Sequence, residues 1–322
     1  MDDALRLPKA LQPGDTIALV SPARPISDDT VTSITLGLTK LGYKVVEAPN
    51  LRVVNRYLAG TDEDRAAGMN WAWADPEVDA IFCPGGGFGS TRILDQLDYE
   101  TIRKNPKIFT GFSDITGVHL ATYARTGQVV FHAPTTWMAL TDRRDLRPHA
   151  AASFWGTLAA SSYTDGRNGF TILPHEGTVP VKLVGGVSQG RLVGGNLSLV
   201  AALMGTPYEF ESKGHILFLE EVREAPYRVD RMLSTLRLAG KLDDLAGVVV
   251  GQFHRCDPDA SDNSFTVREL MDTYFGDRPY PVLLNYPIGH VENNATIPIG
   301  ALAELDAEKG TLTLLENPVR LK

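Results

Sequence analysis

Chemistry in this chain starts with a serine. The stretch Thr110-Gly111-Phe112-Ser113-Asp114-Ile115-Thr116 follows the apolar run "KIF" and precedes "GVHLATYARTG", whose apolar spacing is helical. A serine hydroxyl becomes a useful nucleophile when a base lies within hydrogen-bond reach and donors await an oxyanion. A strand–turn–helix elbow supplies part of this, because it lifts the side chain off a sheet rim beside the free N–H groups of a helix start. The backbone N–H of Asp114 falls near the place where such an oxyanion would form. The alternative is that Ser113 and Asp114 are ordinary helix caps. The stretch is not GxSxG, since Ile115 takes the last glycine position.

A second stretch, "PGGGFGSTR", also follows a strand. Its glycines suit a phosphate cradle, an oxyanion hole or a plain tight turn. It lacks the Lys-Ser/Thr of a P-loop and is not GxGxxG. Seven histidines are candidate bases. His119, six residues past Ser113 on the following helix, should point away. His132 ends a strand near the same rim, and His215 begins another. His149, His175 and His254 stand in loop-like or polar contexts, and His290 lies in the loop "NYPIGHVENNATIPIG". The orienting acid of a triad has a candidate in Glu220, which follows the apolar run Ile216 to Leu219. A carboxylate at the tip of a buried strand is costly unless paired. A strand simply reaching solvent, with Glu221 beside it, is the other reading.

These residues need elements to position them. Strand signals ("DTIALVSPA", "YKVVEAP", "VDAIFCPGGG", "KIFTGF", "QVVFH") alternate with helical ones through the first part, which predicts parallel βαβ units. Helix one should be capped by Asp28 or Asp29. In such sheets ligands bind beyond the carboxyl ends of the strands, so the glycine turn and Ser113 share one rim. The pattern loosens from Met138 to His175. Strands with intervening helices dominate afterwards, and the tail reads as two strands joined by "DAEKG". The expectation is an α/β protein in three parts: 1–140, a connection 141–175, and a β-rich part 176–322. A chain of 322 residues is long enough for two cores. Its net charge of −8, with no basic block, argues against nucleic acid. Cys83 and Cys256 form no CxxC pair, so no zinc site is indicated. No signal peptide or membrane-length apolar run is visible, so the expectation is a cytoplasmic protein.

"GGGFGSTRIL", "GFSDIT", "GGNLS", "FLEEVREAPYRVDRML" and "GHVENNATIPIG" together, in this order and across nearly the whole chain, resemble the LD-carboxypeptidase family of serine peptidases. The microcin C immunity peptidases belong to the same group. The resemblance implies a flavodoxin-like first domain and a swivelling β-rich (β/β/α) second one, with the site between them. It implies a Ser-Glu-His triad: Ser113 as nucleophile, Glu220 as orienting acid, His290 as base. Oxyanion donors would be the backbone N–H groups of Asp114 and of Gly86 or Gly87. The implied reaction releases terminal D-alanine from a murein tetrapeptide, without metal or cofactor, in a cytoplasmic homodimer. A hydrolase of aminoacyl or peptidyl nucleotides is the alternative, with Trp137 as the stacking aromatic. Arg92 and Arg228 are the cations considered for the substrate's carboxylate. The sequence departs from the family at Gly85, where many members carry arginine, and at "HAPTTW", where His-Gly-Pro is more usual.

Overall fold

The structure is a computed structural model that describes residues 5–136, 148–163, 165, 168–174 and 177–321. In the first part the strands are β1 (Thr16–Leu19), β2 (Lys44–Glu47), β3 (Ala80–Phe82), β4 (Ile108–Gly111) and β5 (Val130–His132). Between and after them run α1 (Asp28–Lys40), α2 (Asp62–Ala74), α3 (Tyr99–Lys104), α4 (Thr116–Thr126) and α5 (Pro148–Leu158). The second part holds β6 (Phe170–Ile172), β7 (Val181–Val184), β8 (Val187–Asn196), β9 (His215–Val222), β10 (Gly247–His254), β11 (Val282–Leu284), β12 (Ile297–Ile299), β13 (Leu302–Asp306) and β14 (Thr311–Leu314). Its helices are α6 (Leu197–Ala202), α7 (Pro226–Leu238) and α8 (Val267–Phe275).

Strands β1, β3 and β4 are wholly buried, as the continuous apolar runs of a parallel sheet covered on both faces require. The order β2-β1-β3-β4-β5, all parallel, is the flavodoxin-like one. Helix α1 is capped by the Ser27 hydroxyl, not by the expected Asp28 or Asp29, which fill its first turn. Helix α2 starts with a reciprocal capping box between Thr61 and Asp64.

The second sheet runs β6-β14-β13-β8-β9-β10-β11-β7. Its centre, β8 to β11, is parallel, and the flanking pairs are antiparallel. The expected tail hairpin is β13 and β14. The preceding "ATIPIG" belongs elsewhere: β12 crosses to the first sheet and pairs antiparallel with β5, Ile297 opposite His132 and Ile299 opposite Val130. Each sheet therefore holds chain from beyond residue 176. Helix α4, buried along most of its length, packs against β8 and α6 of the second part. The start of α4 is thus held between the two sheets.

Candidate active site

The turn after β4 is tight. A Cβ on Gly111 would lie 2.7 Å from Cγ2 of Ile115, so the glycine is required there. Ser113 has φ of 61°, in the left-handed region that a residue with a side chain enters at a cost. Neither Ser113 nor Asp114 caps a helix: the turn Ser113–Ile115 and α4 both lack a side-chain cap bond. The Asp114 carboxylate instead accepts the Ser90 N–H at 2.8 Å, and the Ser90 hydroxyl donates to the Asp114 carbonyl at 2.5 Å. Burial raises the Asp114 carboxyl above its ordinary value, against the lowering effect of the Ser90 bonds. Asp114 thus ties the elbow to the segment after the glycine loop.

His290 reaches the elbow from the β11–β12 loop. Its Nε2 lies 3.0 Å from Ser113 Oγ, and its Nδ1 lies 2.7 Å from Glu220 Oε2. Glu220, on β9, is fully buried. Burial pushes its carboxyl up, but the His132 and His290 imidazoles facing its two oxygens outweigh that and hold it at about 2. The His132 contact, Nε2 to Oε1 at 3.7 Å, is electrostatic and too long for a hydrogen bond. The His290 bond is the firm partner. Phe112 packs on the His290 ring at 4.8 Å between centroids, limiting its swing. Gly289 has φ of 121°, and a Cβ there would lie 2.8 Å from Glu220 Oε2. Only glycine lets this loop pass so close to the acid. The Gly289 N–H donates to Oδ1 of the buried Asn294, which holds the loop closed.

The glycine loop faces the elbow. A Cβ on Gly86 would lie 3.0 Å from Ser113 Cβ and 3.2 Å from the Asp114 nitrogen, so a bare backbone borders the expected oxyanion position. A buried arginine shapes this loop. Arg65 of α2 donates to the carbonyls of Gly89 at 2.7 Å and Pro22 at 2.6 Å, and pairs with Asp62. Sequence reasoning missed it, since an arginine on a helix with acids nearby reads as a solvated face. Gly89 in the glycine run and the acid three residues before Arg65, Asp62, were the available signals.

The other expected residues lie apart from this relay or behind it. His132 stands on the far side of Glu220. His119 is buried against Phe109, and burial, with His132 nearby, holds it well below 6.5, so it is neutral. His215 faces Tyr123, and His254 is exposed. Arg92 pairs with Asp62 at 2.7 Å. Arg228 pairs with Glu224 at 3.3 Å and lines an open pocket of about 390 Å³ with Ser198, Tyr227, Arg231 and Met232. Trp137 and His175 lie outside the described residues.

A strained serine, a histidine and a buried acid in hydrogen-bonded sequence are the parts of a covalent hydrolase. Residues 17–133 match the LD-carboxypeptidase N-terminal domain, and residues 189–305 match the LD-carboxypeptidase C-terminal domain. The chain belongs to the LD-carboxypeptidase family. Among the relatives of this chain is a probable murein peptide carboxypeptidase of Bacillus subtilis, 38% identical over 95% of this chain and 93% of the relative. The crystal structure of an MccF-like protein from Bacillus anthracis superposes with a TM-score of 0.85 at 26% identity, covering 96% of this chain and 99% of that one. That of muramoyltetrapeptide carboxypeptidase from Oxalobacter formigenes gives 0.76 at 28% identity, covering 93% and 97%. Membership of this LD-carboxypeptidase family makes the chain a serine peptidase. No helix among the described residues is long and apolar enough to cross a membrane.

Proposed function

We propose that this protein releases the terminal D-alanine of a murein tetrapeptide through a Ser113-His290-Glu220 triad. The observation that carries the reading is the unbroken relay from Ser113 Oγ to His290 Nε2 at 3.0 Å and from His290 Nδ1 to Glu220 at 2.7 Å. His290 takes the serine proton as Ser113 attacks the carbonyl carbon, and gives it to the leaving amine. Glu220 stays ionised and stabilises the imidazolium that forms between these steps. The backbone N–H of Asp114 and that of Gly86 or Gly87 receive the oxyanion. Water then attacks the acyl-enzyme, with His290 again as base, and frees Ser113. Residues 1–140 supply the nucleophile, 141–175 connect, and 176–322 supply acid and base. The murein substrate rests on the names of the relatives, and the cytoplasmic recycling role and homodimeric state rest on the family resemblance. Light scattering of the purified chain tests the dimer.

The likeness to an MccF-like protein favours a second reading, cleavage of the amide of aminoacyl or peptidyl nucleotides by the same triad. Mass spectrometry separates the two. The protein and its Ser113→Ala variant are incubated with murein tetrapeptide and with an aminoacyl-sulfamoyl adenosine. Loss of one alanine, absent in the variant, is the expected result. Cleavage of the nucleotide conjugate alone would replace the first reading with the second. Full activity of the variant would remove Ser113 from its role.

A further inference from the structure

We propose that Arg24, from the β1–α1 loop, binds the terminal carboxylate of the substrate beside the glycine loop. In a sheet of order 2-1-3-4-5 the ligand crevice opens where the loops after β1 and β3 part, at the switch of strand order. Those loops are here 20–27 and 83–89, and they touch. The Arg24 N–H donates to the Gly86 carbonyl at 3.3 Å. Its side chain runs along the glycines: a Cβ on Gly87 would lie 2.9 Å from Arg24 Cβ, and one on Gly85 would lie 3.0 Å from Arg24 Nε and 3.2 Å from Nη2. The guanidinium therefore fills the space that a side chain at residue 85 would occupy. Gly86, the next residue, borders Ser113 and the Asp114 N–H.

Arg24 is exposed, and among the described residues no carboxylate lies within 4 Å of its guanidinium. An arginine at a ligand crevice with no counter-charge is built to receive one, because its planar fork matches a carboxylate. The geometry of the reaction asks for such a charge at this place. In a carboxypeptidase substrate the terminal carboxylate is two bonds from the scissile nitrogen, so its partner must stand next to the oxyanion donors. Arg92 is engaged by Asp62 and Arg228 by Glu224, whereas Arg24 packs against the glycine loop. Arg24 also explains the glycine at 85. A side chain at that position would meet the Arg24 guanidinium.

The inference rests on the carboxypeptidase reading, and the test separates the two. Alanine or alaninamide release is measured from murein tetrapeptide with a free C-terminus and from the same peptide as its C-terminal amide. The unmodified protein is expected to favour the acid in kcat/KM by about 30-fold or more, the scale of a lost partner for a bound charge. Arg24→Ala should bring the acid-to-amide ratio close to one. Gly85→Arg on the Arg24→Ala background should restore it, since removing Arg24 clears two of the three atoms nearest a Cβ at Gly85, the third being the tip of the flexible Ile26 side chain. Equal turnover of acid and amide by the unmodified protein would overturn the inference alone, and needs no variant to fold. An Arg24→Ala loss equal on both peptides would do the same. Release from neither peptide would overturn the carboxypeptidase reading and this inference with it.

Discussion

At the scale of single residues, the candidate site depends on Glu220 keeping its charge while buried. Its carboxyl titrates at about 2, so it is ionised wherever the enzyme would work. Glu220→Gln keeps the shape and removes the charge that would stabilise an imidazolium. It is expected to lower kcat by about 100-fold or more with little change in KM, as steady-state kinetics would show. Unchanged kcat would remove Glu220 from the relay. Gly86→Ala acts on the oxyanion side. Its methyl would sit 3.2 Å from the Asp114 nitrogen, the proposed oxyanion donor. The expected loss is about 100-fold in kcat, the scale of one oxyanion donor. Circular dichroism should show the fold intact. Ser113 and Glu220 stood out as candidates by residue type and position at strand ends, with a helix cap and a strand reaching solvent as the open alternatives. The choice of His290 over His132 was not legible from local physics. Both are candidates by position, and the contact that decides between them spans 177 residues. The cap reading of Ser113 fell likewise, because no side chain caps the turn or α4.

At the scale of elements, two turns are held in conformations that few residues tolerate. Gly289, with φ of 121° and Glu220 directly above it, is the sharper case. Gly289→Ala should cost about 1–3 kcal/mol from the backbone alone, and should displace the acid as well. Denaturant unfolding would show the first effect and kcat the second. A variant with normal stability would mean that the loop is freer than its geometry states. Arg65 is the second case. Arg65→Leu removes both donors to the Gly89 and Pro22 carbonyls and leaves Asp62 with Arg92 alone. Leaving those two buried carbonyls without their charged donor is expected to destabilise by about 2–4 kcal/mol, read from the urea midpoint. The βαβ alternation of the first part was legible because parallel strands are continuous apolar runs. The allotment of "ATIPIG" to the first sheet was not. Alternation in a sequence identifies a strand and does not name its partner.

At the scale of the whole molecule, the acid arm of stability follows from Glu220. Its pKa is lower in the fold than its ordinary 4.5, so the unfolded chain binds the proton more tightly. The stabilisation it brings is complete above about pH 4.5 and is lost as pH falls toward 2. The difference in urea midpoint between the protein and Glu220→Gln should therefore shrink from pH 7 to pH 3. A constant difference would mean that the two imidazoles do not hold the carboxylate. The two-part organisation was legible from length and pattern. The interlock was not, because it depends on β12 and on the packing of α4 against β8 and α6.

That interlock bears on how the chain is made. Ser113 leaves the ribosome 177 residues before His290, and β12 follows later still. At about 5–20 residues per second, the gap lasts on the order of ten to thirty seconds. Throughout it the growing chain has Ser113 without His290, lacks Glu220 for part of the time, and leaves β5 without its β12 partner. If Ser113, His290 and Glu220 act together as proposed, synthesis order leaves the newborn chain inert. The strand that closes the first sheet comes directly behind the histidine, so completing the fold and arming the serine are one late event.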